Sequence, residues 1–222
     1  MKDLTLTIPA KNESECLPKT LQEIFELKLE CNITVILRQE DTSTINSIKN
    51  FDVKIIYQNG LGYGNALIEG LKSCTTKYFC IFNADGSFDP KELKEMYFFI
   101  SNKNYDLVFG SRYCVGGSSE DDTTVTKFGN FFFSKIGNIF FKLNISDILY
   151  TYLMGDVNKI SKLNLNSQDF AYCVELPIKS KFNNLNYTEI PCYERKRIAG
   201  EKKVNAIIDG FKILKKMVKL YF

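Results

Sequence analysis

The sequence predicts an α/β sandwich on a mostly parallel sheet. Three observations carry the prediction. Short β-rich apolar runs alternate with helical patterns through the first half of the 222 residues, joined by short connections. Each run is followed at once by residues that turn the chain. The composition, 45 % hydrophobic and 25 % charged, supplies one large domain with a substantial core.

In chain order, "LTLTI" (4–8) reads as a strand and "LPKTLQEIFEL" (17–27) as a helix. "ITVIL" (33–37) is the next strand, followed by a short helical "TSTINSIKN" (42–50). "VKIIY" (53–57) leads into the helix "YGNALIEGLKSC" (63–74), and "KYFCIF" (77–82) into "PKELKEMYFFIS" (90–101). Pro90 falls in a helix's first turn, where its missing N–H costs nothing. "DLVFG" (106–110) closes the regular half. Beyond it, "KFGNFFFSKIGNIFFKL" (127–143) is helical and apolar on more than one face, "DFAYCVELPIKSKF" (169–182) is another helix, and "YTEIPCYE" (187–194) an edge strand. The chain ends in a basic amphipathic helix, "VNAIIDGFKILKKMVKLYF" (204–222). No repeat, low-complexity tract or linker divides it.

Composition excludes several chemistries. There is no histidine, which removes Ser-His-Asp and Cys-His nucleophile systems and every imidazole ligand. The seven cysteines are an odd number without C-x-x-C pairs, and they read as reduced thiols of a cytoplasmic protein rather than a zinc site. A metal here must be held by oxygen, which favours Mg²⁺ or Mn²⁺. No run of about 18 apolar residues predicts a transmembrane helix, and "MKDLTLTIPA" does not read as a signal peptide. The net charge of +3 is uneven: from Glu194 to Phe222 nine Lys/Arg face three Asp/Glu, leaving −3 for the rest. A basic end points to phosphate groups or a membrane surface as partner; no nucleic acid is expected.

Ligands of parallel sheets bind beyond the carboxyl ends of the strands. "PAKNE", "QEDTS", "NGLGYG", "NADGS" and "GSRY" all follow strands and are expected at one edge. In "NADGS", Asn83, Asp85 and Ser87 alternate and offer amide, carboxylate and hydroxyl oxygens to a hard cation, but all are also turn formers, and both readings stay open. "NGLGYGNAL" resembles a glycine-rich phosphate loop opening a helix, with Gly62 and Gly64 permitting close backbone approach; in isolation it reads more readily as a turn. Arg112 and the cluster Arg195, Arg197, Lys202 and Lys203 can recognise phosphate or form a solvated basic face.

Taken in order, these segments resemble the family-2 glycosyltransferases of the GT-A fold, a Rossmann-like sandwich, and most of all the dolichol/polyprenyl-phosphate mannose synthase-like branch. The resemblance rests on "TIPAKNESE", "EDTSTINSI", "GLGYGNALIEGL", "FNADGSFDP", "DLVFGSRY" and "RIAGEKKV", and spans about residues 5–212. It implies one domain over 1–222, with about 1–115 binding a nucleotide-sugar donor and about 116–222 facing the acceptor. Pro9, Ala10, Asn12 and Glu13 then line the nucleoside pocket, with Glu40 or Asp41 near the base and Gly62 and Gly64 shaping the donor pocket. The resemblance further implies that Asp85 holds the metal, helped by Asn83 and Ser87, and that Arg112, Arg197 and Lys203 contact the donor diphosphate or the acceptor phosphate.

The chain departs from the family at Lys11, which replaces an aromatic, and at Asn83, which replaces the first Asp of D-x-D. In "DILYTYLMG", Asp147 and Tyr152 are kept, but Thr151 stands for a glycine. The implied reaction is inverting transfer to a polyprenyl phosphate, an acceptor already ionised at neutral pH. Transfer to a glycan hydroxyl is the alternative, with Asp147 as base, and an inactive sugar-nucleotide-binding module is a third reading. The phenylalanines of 131–141 and the lysines of the last helix fit an anionic membrane surface, ordinary packing or a homo-oligomer contact alike. The expected location is cytoplasmic, peripheral on the inner face of the membrane.

Overall fold

A computed structural model describes residues 1–200 and 204–222. The strands of the first half are β1 (Leu4–Pro9), β2 (Asn32–Leu37), β3 (Lys54–Tyr57), β4 (Tyr78–Ile81) and β5 (Leu107–Ser111). Between them lie the helices α1 (Leu17–Glu26), α2 (Thr42–Ser47), α3 (Tyr63–Ser73) and α4 (Leu93–Asn102). The second half contributes β6 (Ser118–Ser119), α5 (Thr124–Phe141), β7 (Leu153–Asp156), α6 (Val157–Ile160), α7 (Tyr172–Phe182), β8 (Tyr187–Pro191), β9 (Tyr193–Glu194) and α8 (Ala206–Tyr221).

Among the described residues the main sheet has seven strands in the order β3-β2-β1-β4-β7-β5-β8. All neighbours are parallel except β7, which runs antiparallel to both β4 and β5. The sheet is thus mostly parallel, as expected, and "YTEIP" does form its edge. β7 is the unforeseen strand. Its "LMGD" has neither β-branching nor alternation, and Gly155 is there because Ile160 and the Phe79 ring occupy the space a Cβ would take.

Strand alternation sorts the core into two faces. Leu4, Leu6, Ile8, Tyr78, Cys80, Phe82 and Val108 pack with Leu17, Leu21 and Ile24 of α1 and Leu93, Met96 and Ile100 of α4. Phe79, Ile81, Leu107 and Phe109 point the other way, onto α3 and α7 through Leu67, Leu71, Tyr172 and Leu176. A third cluster joins α5, α7 and α8 through Phe133, Phe141, Val174, Ile178, Ile213 and Met217. α5 and α8 run side by side in one direction: Gly210 lies beside the Phe133 ring, and Tyr221 beside Phe140 and Phe141. This architecture leaves one sheet edge, at the ends of β1, β2, β4 and β5, to carry the loops singled out by sequence.

Candidate active site

The loops after β1 and β2 clamp each other. Asp41 caps α2 by accepting from Thr44 N (3.3 Å) and also accepts from Asn12 N (2.7 Å). Asn12 sits at a φ of 54°, a left-handed conformation that asparagine tolerates. Glu13 N donates to Thr44 Oγ1 (2.9 Å). Pro9, Ala10, Asn12, Glu13 and Asp41 are therefore gathered into one corner, whereas Glu40 is exposed and paired with Arg38 (2.9 Å).

Behind β4 the chain turns through Gly86, whose φ of 78° and contact with Ile198 exclude a side chain. Asp85 Oδ1 accepts from Ser87 N (3.0 Å) and Ser87 Oγ (2.7 Å), while Asn83 Nδ2 reaches Ser87 Oγ at 3.4 Å. Asp85 Oδ2 is 3.1 Å from Arg197 Nη2. Asp85, Asn83 and Ser87 are thus brought together, and an arginine already faces the carboxylate. Among the described residues no three Asp, Glu or Cys side chains converge to hold a metal. The donor set is one carboxylate, one amide and one hydroxyl, all hard oxygen ligands. It fits a divalent cation that takes its remaining ligands from a diphosphate and water.

Arg112, at the end of β5, is almost enclosed. Its Nε and Nη2 make a bidentate pair with Asp147 (2.8 and 2.9 Å), and its Nη1 meets Glu194 (3.0 Å) and Asp122 (3.6 Å). Tyr150 covers its face at 4.6 Å. Burial alone would push the guanidinium pKa down, but Asp147, then Glu194 and Asp122, hold it above its ordinary value. Asp147 has 2 % exposure and also accepts from Arg112 N (3.0 Å), so both its oxygens are committed to one residue. Three carboxylates around one arginine were not legible in sequence. Asp122 and Glu194 come from opposite ends of the second half, and the one available signal was that both are acids outside any helical face.

Glu194 opens a strap that joins the two halves of the site. It pairs with Arg112, and its backbone bridges to Phe88. Arg195 N then donates to Ser87 O (2.9 Å), Arg197 meets Asp85, and Ile198 N donates to Asp85 O (2.9 Å). Arg195 itself turns away, to Glu23 (2.8 Å) and Phe88 O (2.9 Å). Lys202 and Lys203 lie outside the described residues. Beneath the strap Phe88 stacks on Tyr152 at 4.5 Å, and the Tyr152 hydroxyl donates to Asp89 O (2.9 Å), bracing the Asp85 turn against the "TY" segment.

The glycines of the "NGLGYG" loop make room for another loop. A Cβ on Gly62 would collide with the Gln168 carbonyl, and one on Gly64 with the Ser167 carbonyl. Asn65 N, in the first turn of α3, donates to Gln168 O (3.0 Å). The glycines let residues 167–168 lie directly on the start of α3. Gly64→Ala is expected to lower the melting temperature by several degrees, since overpacking against a backbone carbonyl costs about 1–3 kcal/mol. Calorimetry checks it, and an unchanged melting temperature would show that the 167–168 loop yields freely.

The sequence profile of Glycosyl transferase family 2 matches residues 5–163. The chain belongs to this family. It is 25 % identical to an undecaprenyl-phosphate mannosyltransferase of Micrococcus luteus, across 95 % of this chain and 90 % of that one. A glycosyltransferase of Mycobacterium tuberculosis, itself uncharacterised, is 30 % identical across 51 % of this chain and 50 % of its own. Among solved structures, glucosyl-3-phosphoglycerate synthase from M. tuberculosis superposes with a TM-score of 0.77 at 10 % identity, covering 98 % of this chain and 79 % of that one; it was solved with Mn²⁺, UDP and glucosyl-3-phosphoglycerate. The same enzyme with Mn²⁺, UDP-glucose and phosphoglyceric acid gives 0.77 at 11 %. The fold of this family-2 glycosyltransferase is accordingly the GT-A sandwich.

Proposed function

We propose that this glycosyltransferase transfers a sugar, with inversion, from a nucleotide-sugar donor to a polyprenyl phosphate. The observation that carries the acceptor is the outer face of α5 and α8. Phe128, Phe131, Ile207 and Phe211 are 59–72 % exposed there, on helices that also carry Lys127, Lys135, Lys212 and Lys219. Apolar side chains among lysines are the makeup of a helix pair lying in an anionic lipid interface. No helix among the described residues is long and apolar enough to cross a membrane, so the contact is peripheral in this reading. The start of α5 adjoins the Arg112 cluster, since Asp122 precedes it and Asn130 accepts from Leu149 N (3.0 Å). The full-length likeness to an undecaprenyl-phosphate mannosyltransferase supports the same acceptor.

The nucleoside is assigned to the corner of Pro9, Ala10, Asn12, Glu13 and Asp41, and the diphosphate to the approaches of Asp85 and Arg197. Asp85, Asn83 and Ser87 would hold Mg²⁺ or Mn²⁺, which neutralises charge on the departing diphosphate when bound. Arg197 adds a cation at the same place, where charge develops as the sugar leaves. A phosphate acceptor is ionised at neutral pH and needs no base. This suits a site in which Asp147 is committed to Arg112.

One observation favours a second reading, transfer to a glycan hydroxyl. Three carboxylates around Arg112 leave that cluster net negative, which disfavours a phosphate beside it. Incubation with UDP- and GDP-sugars, Mn²⁺ or Mg²⁺, and either short polyprenyl phosphate or glycan acceptors separates the two. Nucleoside diphosphate release that requires the lipid is the expected result. Release only with a glycan supports the second reading, and donor binding without turnover would identify an inactive module.

A further inference from the structure

Glu175, on α7, has 0 % exposure. It accepts from Asn166 N (3.1 Å) and Ser167 N (2.7 Å), and it pairs with Lys179 (2.8 Å) and with Lys216 of α8 (2.9 Å). Lys216 also donates to Asn166 Oδ1 (2.7 Å). Burial opposes ionisation here, but the hydrogen bonds from Lys179, Lys216 and Ser167 outweigh it and bring the carboxyl down to about 2. A buried carboxylate bound by two ammonium groups and two backbone N–H groups fixes the loop 166–168 firmly.

The loop in turn holds the start of α3. Gln168 O receives Asn65 N, Gln168 Oε1 receives Asn65 Nδ2 (2.8 Å), and the Ser167 and Gln168 carbonyls fill the space over Gly64 and Gly62. Between these glycines Tyr63 stacks on Phe170 (5.0 Å) and shares a hydrogen bond with Thr151 (2.7 Å), the residue that stands for the family's glycine. The contacts therefore run unbroken from α8, through Lys216 and Glu175, to both the glycine loop and the Asp147–Tyr152 segment.

We propose that Glu175 and Lys216 are positioning residues, through which the C-terminal helix sets the placement of the glycine loop at the start of α3. The consequence for the donor rests on the functional reading above; the coupling itself does not. α8 presents lysines and apolar residues outward and Lys216 inward, so it belongs structurally to the site as well as to the surface.

The test is hydrogen exchange on the full chain without ligand, comparing wild type, Lys216→Met, Lys216→Arg and Lys181→Met. Lys181 is exposed on α7, and its loss matches the charge change. Losing a charge-assisted hydrogen bond is expected to quicken exchange about ten-fold in peptides covering 164–168 and also 60–66. Lys216→Arg should restore protection and Lys181→Met leave it unchanged, with β1 and β4 unaffected throughout. Quickening confined to 164–168, or spread evenly over β1 and β4, overturns the proposal. Glu175→Gln repeats the test where it folds; Lys216→Met, a partly exposed side chain, keeps it decidable where it does not. Titration with UDP·Mn²⁺ and GDP·Mn²⁺ supplies the second readout: whichever nucleotide binds wild type should bind Lys216→Met several-fold more weakly, and equal binding removes the role in the site. Coupled exchange with neither nucleotide binding wild type would instead refute the donor reading and leave the coupling standing.

Discussion

Asp85→Ala is expected to reduce turnover about 10²–10³-fold, the range seen when a group stabilising developing charge is removed. The residue has two jobs that a pair of variants separates. One oxygen braces Ser87 through two hydrogen bonds, and the other faces Arg197. Asp85→Asn keeps an acceptor for Ser87 but removes the charge that a divalent cation needs. Both variants should therefore lose Mn²⁺-dependent nucleotide binding, while the melting temperature falls more for alanine than for asparagine. Calorimetry of Mn²⁺ with and without UDP or GDP gives the sharper reading. A cation entering the free protein must compete with an ion pair already made, at a site where Asn83 supplies no charge. With a diphosphate present, Arg197 has a second anion to meet and the cation gains phosphate oxygens. Metal binding is thus expected mainly together with the nucleotide. Full activity in Asp85→Asn would remove the metal assignment.

What the sequence revealed and what it concealed divide along the range of the interaction. Strands β1, β2 and β4 are legible because short runs of apolar, β-branched and aromatic residues are a local signal, and with helices on both faces of the sheet Leu6, Thr7, Ile8 and Val35 are all fully buried. The turn at "NADGS" is legible too, and Asn83 and Asp85 both meet Ser87 there. The glycines at 62 and 64 were legible as special positions, but not their use. Their partner is a loop about a hundred residues away, and nothing near them in sequence records it. The same holds for β7, inserted antiparallel between two strands that parallel topology alone would have paired directly. In sequence, Arg112 and Asp147 stand apart, one a phosphate contact and the other a base. That they neutralise each other depends on a 35-residue separation closed by the fold.

Arg112→Met is expected to destabilise the protein by about 3–5 kcal/mol, because it strands buried carboxylates that the guanidinium now compensates. At roughly 2–4 °C per kcal/mol for a chain of this size, the melting temperature should fall by about 6–20 °C. The Asp147 and Asp122 side chains are both buried, and among the described residues each has its ion pair with Arg112. Combining Arg112→Met with Asp147→Asn should recover part of the loss, since the most deeply buried charge is removed with its partner. Arg112→Lys is the informative variant. It keeps the charge but gives up the planar fork that meets Asp147 with two donors and Glu194 with a third, so it should fall between wild type and methionine in stability. If the guanidinium served an acceptor phosphate instead of the three carboxylates, Arg112→Lys would raise the acceptor KM with little change in melting temperature. The geometry predicts the opposite order: a clear loss of thermal stability, with the acceptor KM following only as the Asp147–Tyr152 segment loosens. Thermal melts and acceptor titrations on the same preparations decide between them.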